Sequence, residues 1–257
     1  MNASTACDIL TARPIAHRGA HDRARGAIEN SISAARAAVA AGYAIECDVQ
    51  ISSDGEVFVF HDDDLDRLTG RQGRADALRA EELTRIPLLG ATETIPLFVD
   101  FLAAVDGKTP LVVELKSRFD GDVALARRVA EIIARCDTPL VVESFDPAPI
   151  AFLRKHGAEF GIAHVPLGIV GMARCAEDED FKNVSAGQCA RMEHFLHYSE
   201  TRPDFLSWYL RDLPHAIPLL CREALKIPVT VWTVRSPSDA KRAMSWADQI
   251  VFEGFLP

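Results

Sequence analysis

Short apolar runs alternate with amphipathic stretches along most of the 257-residue chain, and this alternation constrains the fold more than any other feature. The apolar runs are rich in Val and Ile and are often bounded by Gly or Pro, which is typical of strands buried in a parallel sheet. The candidate strands are residues 14–17, 44–49, 57–61, 111–115, 140–144, 161–165, 204–208, 229–234 and 249–253.

The amphipathic stretches between these runs predict helices. They cover residues 31–41, 97–105, 122–136, 146–156, 186–200, 211–225 and 238–247. Repeated strand–helix alternation predicts a mostly parallel sheet, which is either an open doubly wound sheet or a closed barrel. A chain close to the roughly 250 residues of a typical (β/α)₈ domain favours the closed TIM barrel. Residues 62–96 are polar and turn-rich, so we interpret them as an insertion over one end of a single barrel domain spanning 1–257.

Charge and cysteine content exclude several classes of protein. The net charge is −9, whereas a nucleic-acid-binding protein usually carries a basic face. The six cysteines are scattered and form no CxxC pair, which argues against a zinc site and a disulfide-stapled small domain. The chain start shows no secretory signal, and no apolar run is long enough to span a bilayer. These features predict a cytoplasmic protein with reduced thiols.

Two carboxylates lie on one face of the second candidate strand. Side chains two residues apart on a strand share a face, so Glu46 and Asp48 point together. Bare carboxylates are expensive to bury, and a hard divalent cation such as Mg²⁺ or Ca²⁺ would offset that cost. The alternative is an exposed strand edge with two solvated acids. The apolar neighbours Tyr43, Ile45 and Val49 favour the metal interpretation.

The strand over 111–115 repeats this pattern. Glu114 and Lys116 share a face at its end, as a third oxygen ligand and a partner for phosphate. Such a pair alone is more often a structural salt bridge, so its value lies in its agreement with Glu46 and Asp48.

Two histidines each follow a short β-run. His17 is followed by Arg18 and Gly19, and His61 is followed by Asp62. Histidine titrates near neutrality and can act as an acid or a base, while an arginine fork suits phosphate oxygens. A single histidine after a strand is usually only a polar turn residue, but two in this setting indicate a site. Motifs for nucleotide binding or a serine nucleophile are absent from the sequence.

Taken together, these residues resemble the glycerophosphodiester phosphodiesterase family. The resemblance is carried by an ordered series over the first half of the chain: His17-Arg18-Gly19, Glu29-Asn30-Ser31, Glu46-Cys47-Asp48, His61-Asp62 and Glu114-Leu115-Lys116. It implies a (β/α)₈ barrel with a small insertion after the strand that carries the second histidine. Near the carboxyl terminus the usual family pattern is blurred over residues 252–257, and we expect that end to close the barrel without taking part in the chemistry.

The resemblance also implies roles for the site residues. His17 and His61 would be the acid–base pair, Glu46, Asp48 and Glu114 would hold Mg²⁺ or Ca²⁺, and Arg18 and Lys116 would bind phosphate. Trp232 would either stack on the substrate alcohol at the pocket mouth or pack as an ordinary buried tryptophan.

The implied reaction is metal-dependent hydrolysis of a small glycerophosphodiester to an alcohol and glycerol 3-phosphate. Attack by water and attack by a neighbouring glycerol hydroxyl both fit the sequence. The alternatives are a lysophospholipase D or sphingomyelinase D-like enzyme, which needs an apolar surface, and a non-catalytic sensor of a phosphate metabolite. Residues that could form the apolar surface are Phe195, Leu196, Phe205, Trp208 and Tyr209, although core packing is their commoner role. The oligomeric state stays open, a homo-oligomer included.

Overall fold

Eight parallel strands close into a barrel in the computed structural model, which describes residues 5–257. The strands are β1 (Ile15–Ala16), β2 (Ala44–Ile51), β3 (Val57–Val59), β4 (Leu111–Leu115), β5 (Leu140–Ser144), β6 (Leu167–Gly171), β7 (Phe205–Tyr209), β8 (Val229–Val234) and β9 (Gln249–Phe252). β1 pairs in parallel with both β2 and β9, which closes the sheet. This confirms the (β/α)₈ barrel. Residues 1–4 lie outside the described residues. They belong to the predicted domain and to the chain start in which we found no secretory signal.

Most of the helices lie around the outside of the barrel between its strands, whereas the first helix precedes β1 and two short ones belong to the insertion. The helices are α1 (Ala6–Thr11), α2 (Ile32–Ala41), α3 (Asp66–Thr69), α4 (Ala80–Leu83), α5 (Phe98–Val105), α6 (Ala124–Ile133), α7 (Pro147–His156), α8 (Ala186–Glu193), α9 (Tyr198–Thr201), α10 (Ala216–Leu220) and α11 (Pro237–Ala243). A π-helical turn over Cys221–Leu225 continues α10. Short 3₁₀ turns cover Arg23–Arg25, Ala75–Ala77, Cys175–Glu177, Glu179–Phe181 and Leu210–Asp212. No helix within residues 5–257 has the length and apolar character needed to cross a membrane.

Local sequence signals set the ends of these helices. The Ser31 hydroxyl accepts a hydrogen bond from the backbone N–H of Ala34 and so caps α2. Gly42 ends the same helix in the left-handed region at φ 78°, where glycine carries no steric penalty. Asp146 caps α7, and Pro147 occupies its first turn, where no intrahelical N–H is needed.

The amino-terminal end of the barrel is filled by apolar side chains. Ile15, Ala44 and Phe205 belong to this cluster, and α1 contributes Ile9 and Leu10 to it. Since barrel enzymes carry their chemistry at the opposite, carboxyl end of the strands, this end has a structural role.

The insertion predicted over 62–96 forms a unit with its own small core. Leu65 just before α3, Leu68 from α3 and Leu83 from α4 pack together with Ile86 and with Phe58 of β3. β3, which leads into the insertion, pairs antiparallel with β2 and is not a barrel strand.

One predicted strand is wrong. Residues 161–165 form a turn, and the sixth strand is β6 immediately after it. Gly161 adopts φ 79° in this turn. The Pro166 carbonyl then accepts a hydrogen bond from the Val142 backbone N–H, where the pairing of β5 with β6 begins. The predicted helix over 186–200 is likewise interrupted, since α8 and α9 are separate.

Candidate active site

Three carboxylates meet inside the barrel near the carboxyl ends of two neighbouring strands. Glu46 and Asp48 come from β2 and Glu114 from β4, with Asp48 directly opposite Glu114 in the parallel register. Each of the three offers an oxygen within 4.8 Å of those of the other two. Glu46 and Asp48 are 3% and 1% exposed, so the solvated-edge alternative is wrong for this pair.

The pKa values of two of these acids shift in opposite directions. Burial raises the pKa of Glu46 well above its usual value, and the neighbouring charges of Asp48 and Glu114 raise it further. Burial acts in the same direction on Asp48, but Lys116 and other nearby cations hold the pKa of Asp48 well below its usual value. The site therefore carries both an acid that resists ionisation and one that is firmly ionised.

Glu46 also carries an unsatisfied atom. Its Oε1 is buried and has no hydrogen-bond partner among the described residues. Buried polar atoms without a partner are rare in proteins, and each needs an explanation. Three clustered carboxylates with an unpartnered oxygen are the donor set that a hard divalent cation prefers, so the residues fit such an ion.

Two cations flank the carboxylates. The Lys116 ammonium lies 2.8 Å from Glu114 Oε1 and 3.2 Å from Asp48 Oδ1. The salt bridge expected as the alternative for Glu114 and Lys116 is therefore present, and it lies within the cluster. Burial lowers the pKa of Lys116, but the two carboxylates raise it by more. The pKa of Lys116 therefore lies above its usual value.

Arg18 contacts the cluster through its backbone as well as its side chain. Its backbone N–H donates to Glu46 Oε2 at 2.9 Å, and its Nε lies 3.4 Å from Asp48 Oδ2. Arg18 adopts φ 57°, and Gly19 follows at φ 81°. A β-carbon at Gly19 would lie 2.9 Å from Ala34, so glycine is required for this tight turn.

Two residues just before α2, Glu29 and Asn30, support the same cluster. Asn30 donates from Nδ2 to Asp48 Oδ2 at 2.8 Å and accepts from the Asp48 backbone N–H at 3.2 Å. Glu29 accepts a 2.6 Å hydrogen bond from Arg18 Nη1. The Glu29-Asn30 pair therefore orients one carboxylate and one cation of the site.

His17 follows β1 and points one ring nitrogen at the carboxylates. Its Nε2 lies 3.9 Å from Glu46 Oε2, while its Nδ1 is 2.5 Å from Glu253 Oε2. Burial lowers the pKa of His17 to about 4, although the contact with Glu253 acts in the opposite direction. His17 is accordingly neutral at pH 7.

Glu253 is a site residue that sequence reasoning missed. We expected the carboxyl-terminal residues to close the barrel without taking part in the chemistry, yet Glu253 lies in contact with His17. Glu253 follows β9, which pairs with β1, so the two residues leave adjacent strands at the same end. Closure of the barrel between its first and last strands was the signal that could have found it.

His61 follows β3 and has a comparable carboxylate partner. Its Nδ1 lies 2.7 Å from Asp62 Oδ1. Arg67, from α3 of the insertion, donates from Nε to Asp62 Oδ2 at 2.6 Å and from Nη2 to Glu29 Oε1 at 2.8 Å. Arg67 therefore links Asp62, the residue after His61, to Glu29 in the loop before α2, a contact that the sequence did not reveal.

A fourth carboxylate, Glu143, lies on β5 beside Glu114. The two residues are directly opposite in the parallel register, and Glu143 is 3% exposed. Burial raises the pKa of Glu143 well above its usual value, and the charges of Glu114 and Asp48 add to the effect. Its Oε2 has no hydrogen-bond partner among residues 5–257. Sequence reasoning did not single it out.

Trp232 lies at the end of β8 as part of an aromatic row. Its indole N–H donates to the Ser207 carbonyl at 3.3 Å. Its ring centroid is 5.4 Å from that of Phe145 and 4.7 Å from that of Tyr209. The ring is half-buried and packs against neighbouring side chains of the barrel, so its stacking on a substrate stays a prediction.

Comparison with known proteins identifies relatives. The family model described as the glycerophosphoryl diester phosphodiesterase family matches residues 17–255. YhdW of Bacillus subtilis (strain 168) is 32% identical over 141 residues, which are 51% of this chain and 56% of that protein. The glycerophosphodiester phosphodiesterase of Caldanaerobacter subterraneus is 34% identical over 111 residues, 40% of this chain and 44% of that one. The chain thus spans about half the length of the curated relatives it matches.

Solved structures share the fold over nearly the whole chain. A phosphodiesterase of Oleispira antarctica, in complex with the product sn-glycerol-3-phosphate, superposes with a TM-score of 0.72 at 22% identity. The superposition covers 93% of this chain and 91% of that one.

Proposed function

The chain belongs to the glycerophosphoryl diester phosphodiesterase family, and we propose that it hydrolyses small glycerophosphodiesters to an alcohol and glycerol 3-phosphate. One observation carries the proposal: three carboxylates, two cations and His17 lie in contact at the carboxyl end of the barrel. Phe60, the residue before His61, donates its backbone N–H to the Asp48 carbonyl, so His61 follows directly beside this cluster. The names of the relatives and the product bound to the Oleispira antarctica enzyme support the same reaction class.

In this proposal Glu46, Asp48 and Glu114 hold a divalent cation, Mg²⁺ or Ca²⁺. When bound, the ion neutralises charge that develops on the phosphate oxygens and polarises the phosphorus centre. The unpartnered oxygen of Glu46 and the raised pKa of its carboxyl support this assignment, since both indicate a buried acid that needs a cation.

Arg18 and Lys116 are the proposed phosphate ligands. Both are held by carboxylates of the site, which orients them before substrate arrives. The arginine fork can donate two parallel hydrogen bonds to phosphate, and the lysine supplies a point charge.

His17 and His61 are the proposed acid–base pair. A carboxylate lies at the Nδ1 of each ring, so Nδ1 carries the proton and Nε2 is the atom that exchanges protons with substrate. His17 is neutral at pH 7, so we assign it the role of base that accepts a proton from the nucleophile. His61 then donates a proton to the departing alkoxide.

Apolar side chains beside the site bear on the choice between this reaction and its nearest alternative. A lysophospholipase D or sphingomyelinase D-like enzyme needs room for an acyl chain beside the site. Phe205 and Trp208 are fully buried in the core and cannot supply it. Phe145, Trp232 and Tyr209 form only a short aromatic wall, which suits a small alcohol better.

The test is release of glycerol 3-phosphate from glycerophosphocholine and glycerophosphoethanolamine, measured with Mg²⁺, with Ca²⁺ and with EDTA. We expect metal-dependent release that falls roughly 10²- to 10⁴-fold in His17→Ala, the usual contribution of a general acid or base. His164→Ala is the control, because His164 is exposed before β6 at the opposite end of the barrel. Cleavage of lysolipids alone would favour the alternative enzyme, and no cleavage with metal bound would favour the sensor.

A further inference from the structure

Two free cysteines lie in contact beside the barrel mouth. Cys175 belongs to the 3₁₀ turn after β6 and Cys189 to α8, and their Sγ atoms are 2.8 Å apart. Both residues are fully buried, at 0% and 1% exposure. Residues 172–193, which we call the mouth segment, carry both of them.

The backbone around the two sulfurs is held in place by polar contacts. The Ala176 backbone N–H donates to Glu193 Oε1 at 3.1 Å, which ties the 3₁₀ turn to the end of α8. Ser185 and Gln188 form a capping box at the start of α8. The Gln188 side chain also donates to the Phe119 carbonyl at 2.7 Å. The sulfur contact therefore lies between two fixed elements.

An unbroken run of packed side chains leads from the cysteines to the site. Cys175 and Cys189 share a small core with Met172, Phe181 and Met192. The Phe181 ring packs edge-on against Phe145, with centroids 5.1 Å apart, and Phe145 packs in the same way on Trp232. The mouth segment thus supports the aromatic wall.

We propose that Cys175 and Cys189 form an intramolecular disulfide when the protein meets a disulfide oxidant such as oxidised glutathione. The Cys175 thiolate attacks the oxidant's disulfide and displaces one thiol, which leaves a mixed disulfide on the protein. The Cys189 thiolate then attacks Cys175 Sγ and displaces the second thiol. Two protein thiols are oxidised, one small disulfide is reduced, and the two protons pass to the released thiols.

Burial governs the rate of this step. It raises the pKa of the Cys175 thiol, and the hydrogen bond with Cys189 raises it further. Since the thiolate is the attacking species, oxidation requires local opening of the mouth segment and is slow in the closed state. Once formed, the bond joins the two ends of the stretch that carries Phe181 and holds that ring against Phe145.

Peptide mapping tests the proposal directly. The intact chain is incubated with oxidised glutathione, alkylated, and digested with trypsin without reduction. Cleavage after Arg174, Lys182 and Arg191 places the two cysteines on separate peptides, residues 175–182 and 183–191. We expect these two peptides as one disulfide-linked species that separates on reduction. If every cysteine in the oxidised chain remains alkylatable, or if the linked species contains other cysteines only, the proposal is wrong.

Thermal unfolding supplies a second readout. Closing a loop of this length raises the melting temperature by roughly 5–10 °C in the oxidised chain relative to the reduced one. Cys175→Ser and Cys189→Ala should each lose this difference, and Cys136→Ser, a change in a partly buried cysteine outside the pair, should keep it. Equal melting temperatures for oxidised and reduced wild type would overturn the proposed cross-link.

Discussion

At the residue scale, the two proposed catalytic histidines are held in the same way by carboxylates from different parts of the chain. Glu253 faces Nδ1 of His17 and Asp62 faces Nδ1 of His61. A carboxylate at one ring nitrogen fixes the tautomer and the ring orientation, so the other nitrogen is available for proton transfer. Asp62 is adjacent to its histidine in sequence, whereas Glu253 is 236 positions away.

Replacing Glu253 should therefore damage turnover more than binding. We expect Glu253→Gln to lower kcat by about 10- to 100-fold with little change in KM, because the amide no longer fixes the tautomer of His17. Steady-state kinetics over a range of pH would check this, with partial recovery in Glu253→Asp. Glu159→Gln, a change at an exposed carboxylate remote from His17 and His61, is the control. Equal kcat for Glu253→Gln and wild type would contradict the assignment.

Glu143 predicts a pH dependence of stability. Its folded-state pKa lies well above the ordinary value of about 4.3, so the folded protein holds this proton more tightly than the unfolded chain. The contribution to stability is complete at pH below that ordinary value and is lost as pH rises from it to the raised folded-state pKa.

The variant Glu143→Gln cannot ionise at this position, so it should not lose stability in this way as the pH rises. We expect its free energy of unfolding to exceed that of wild type by at least about 1 kcal/mol at pH 8 in EDTA, and the gap to narrow toward pH 5. Denaturant unfolding at both pH values measures this, with the exposed Glu159→Gln as control. A gap that is the same at both pH values would rule out the titration of Glu143 as its cause.

At the element scale, the strands that sequence predicted best are those with continuous apolar side chains. β4, β5 and β8 match their predicted bounds, because strands buried on both faces need no alternation. β6 was missed because two of its five residues are glycines, which give no apolar signal. Residues distant in sequence require glycine at both positions. A β-carbon at Gly168 would lie 2.2 Å from the Phe205 ring, and one at Gly171 would lie 2.8 Å from Trp208.

The contact at Gly168 predicts a localised cost. Gly168→Ala should lower the free energy of unfolding by roughly 1–3 kcal/mol, the usual effect of overpacking a well-packed core. Phe205→Leu in the same chain should recover part of the loss, which denaturant unfolding would show. Gly187→Ala has open space around its β-carbon and serves as the control. An alanine at 168 that costs nothing would mean that the Phe205 ring moves freely.

At the scale of the whole molecule, barrel closure assembles the site from both ends of the sequence. Side-chain alternation along a single strand predicts that Glu46 and Asp48 share a face, and a repeat of that pattern adds Glu114. Local sequence could not reveal that Arg67 from the insertion would bridge Asp62 and Glu29, or that Glu253 would reach His17. Those contacts depend on which elements become neighbours only after the chain has folded.

Isothermal titration of the EDTA-stripped chain with Mg²⁺ and with Ca²⁺ tests the central claim, that Glu46, Asp48 and Glu114 hold one divalent cation. We predict a single site per chain for at least one of the two ions, lost in Glu46→Gln and kept in Glu159→Gln. Neither ion binding to wild type, or equal binding by wild type and Glu46→Gln, would contradict the metal site and the reaction proposed around it.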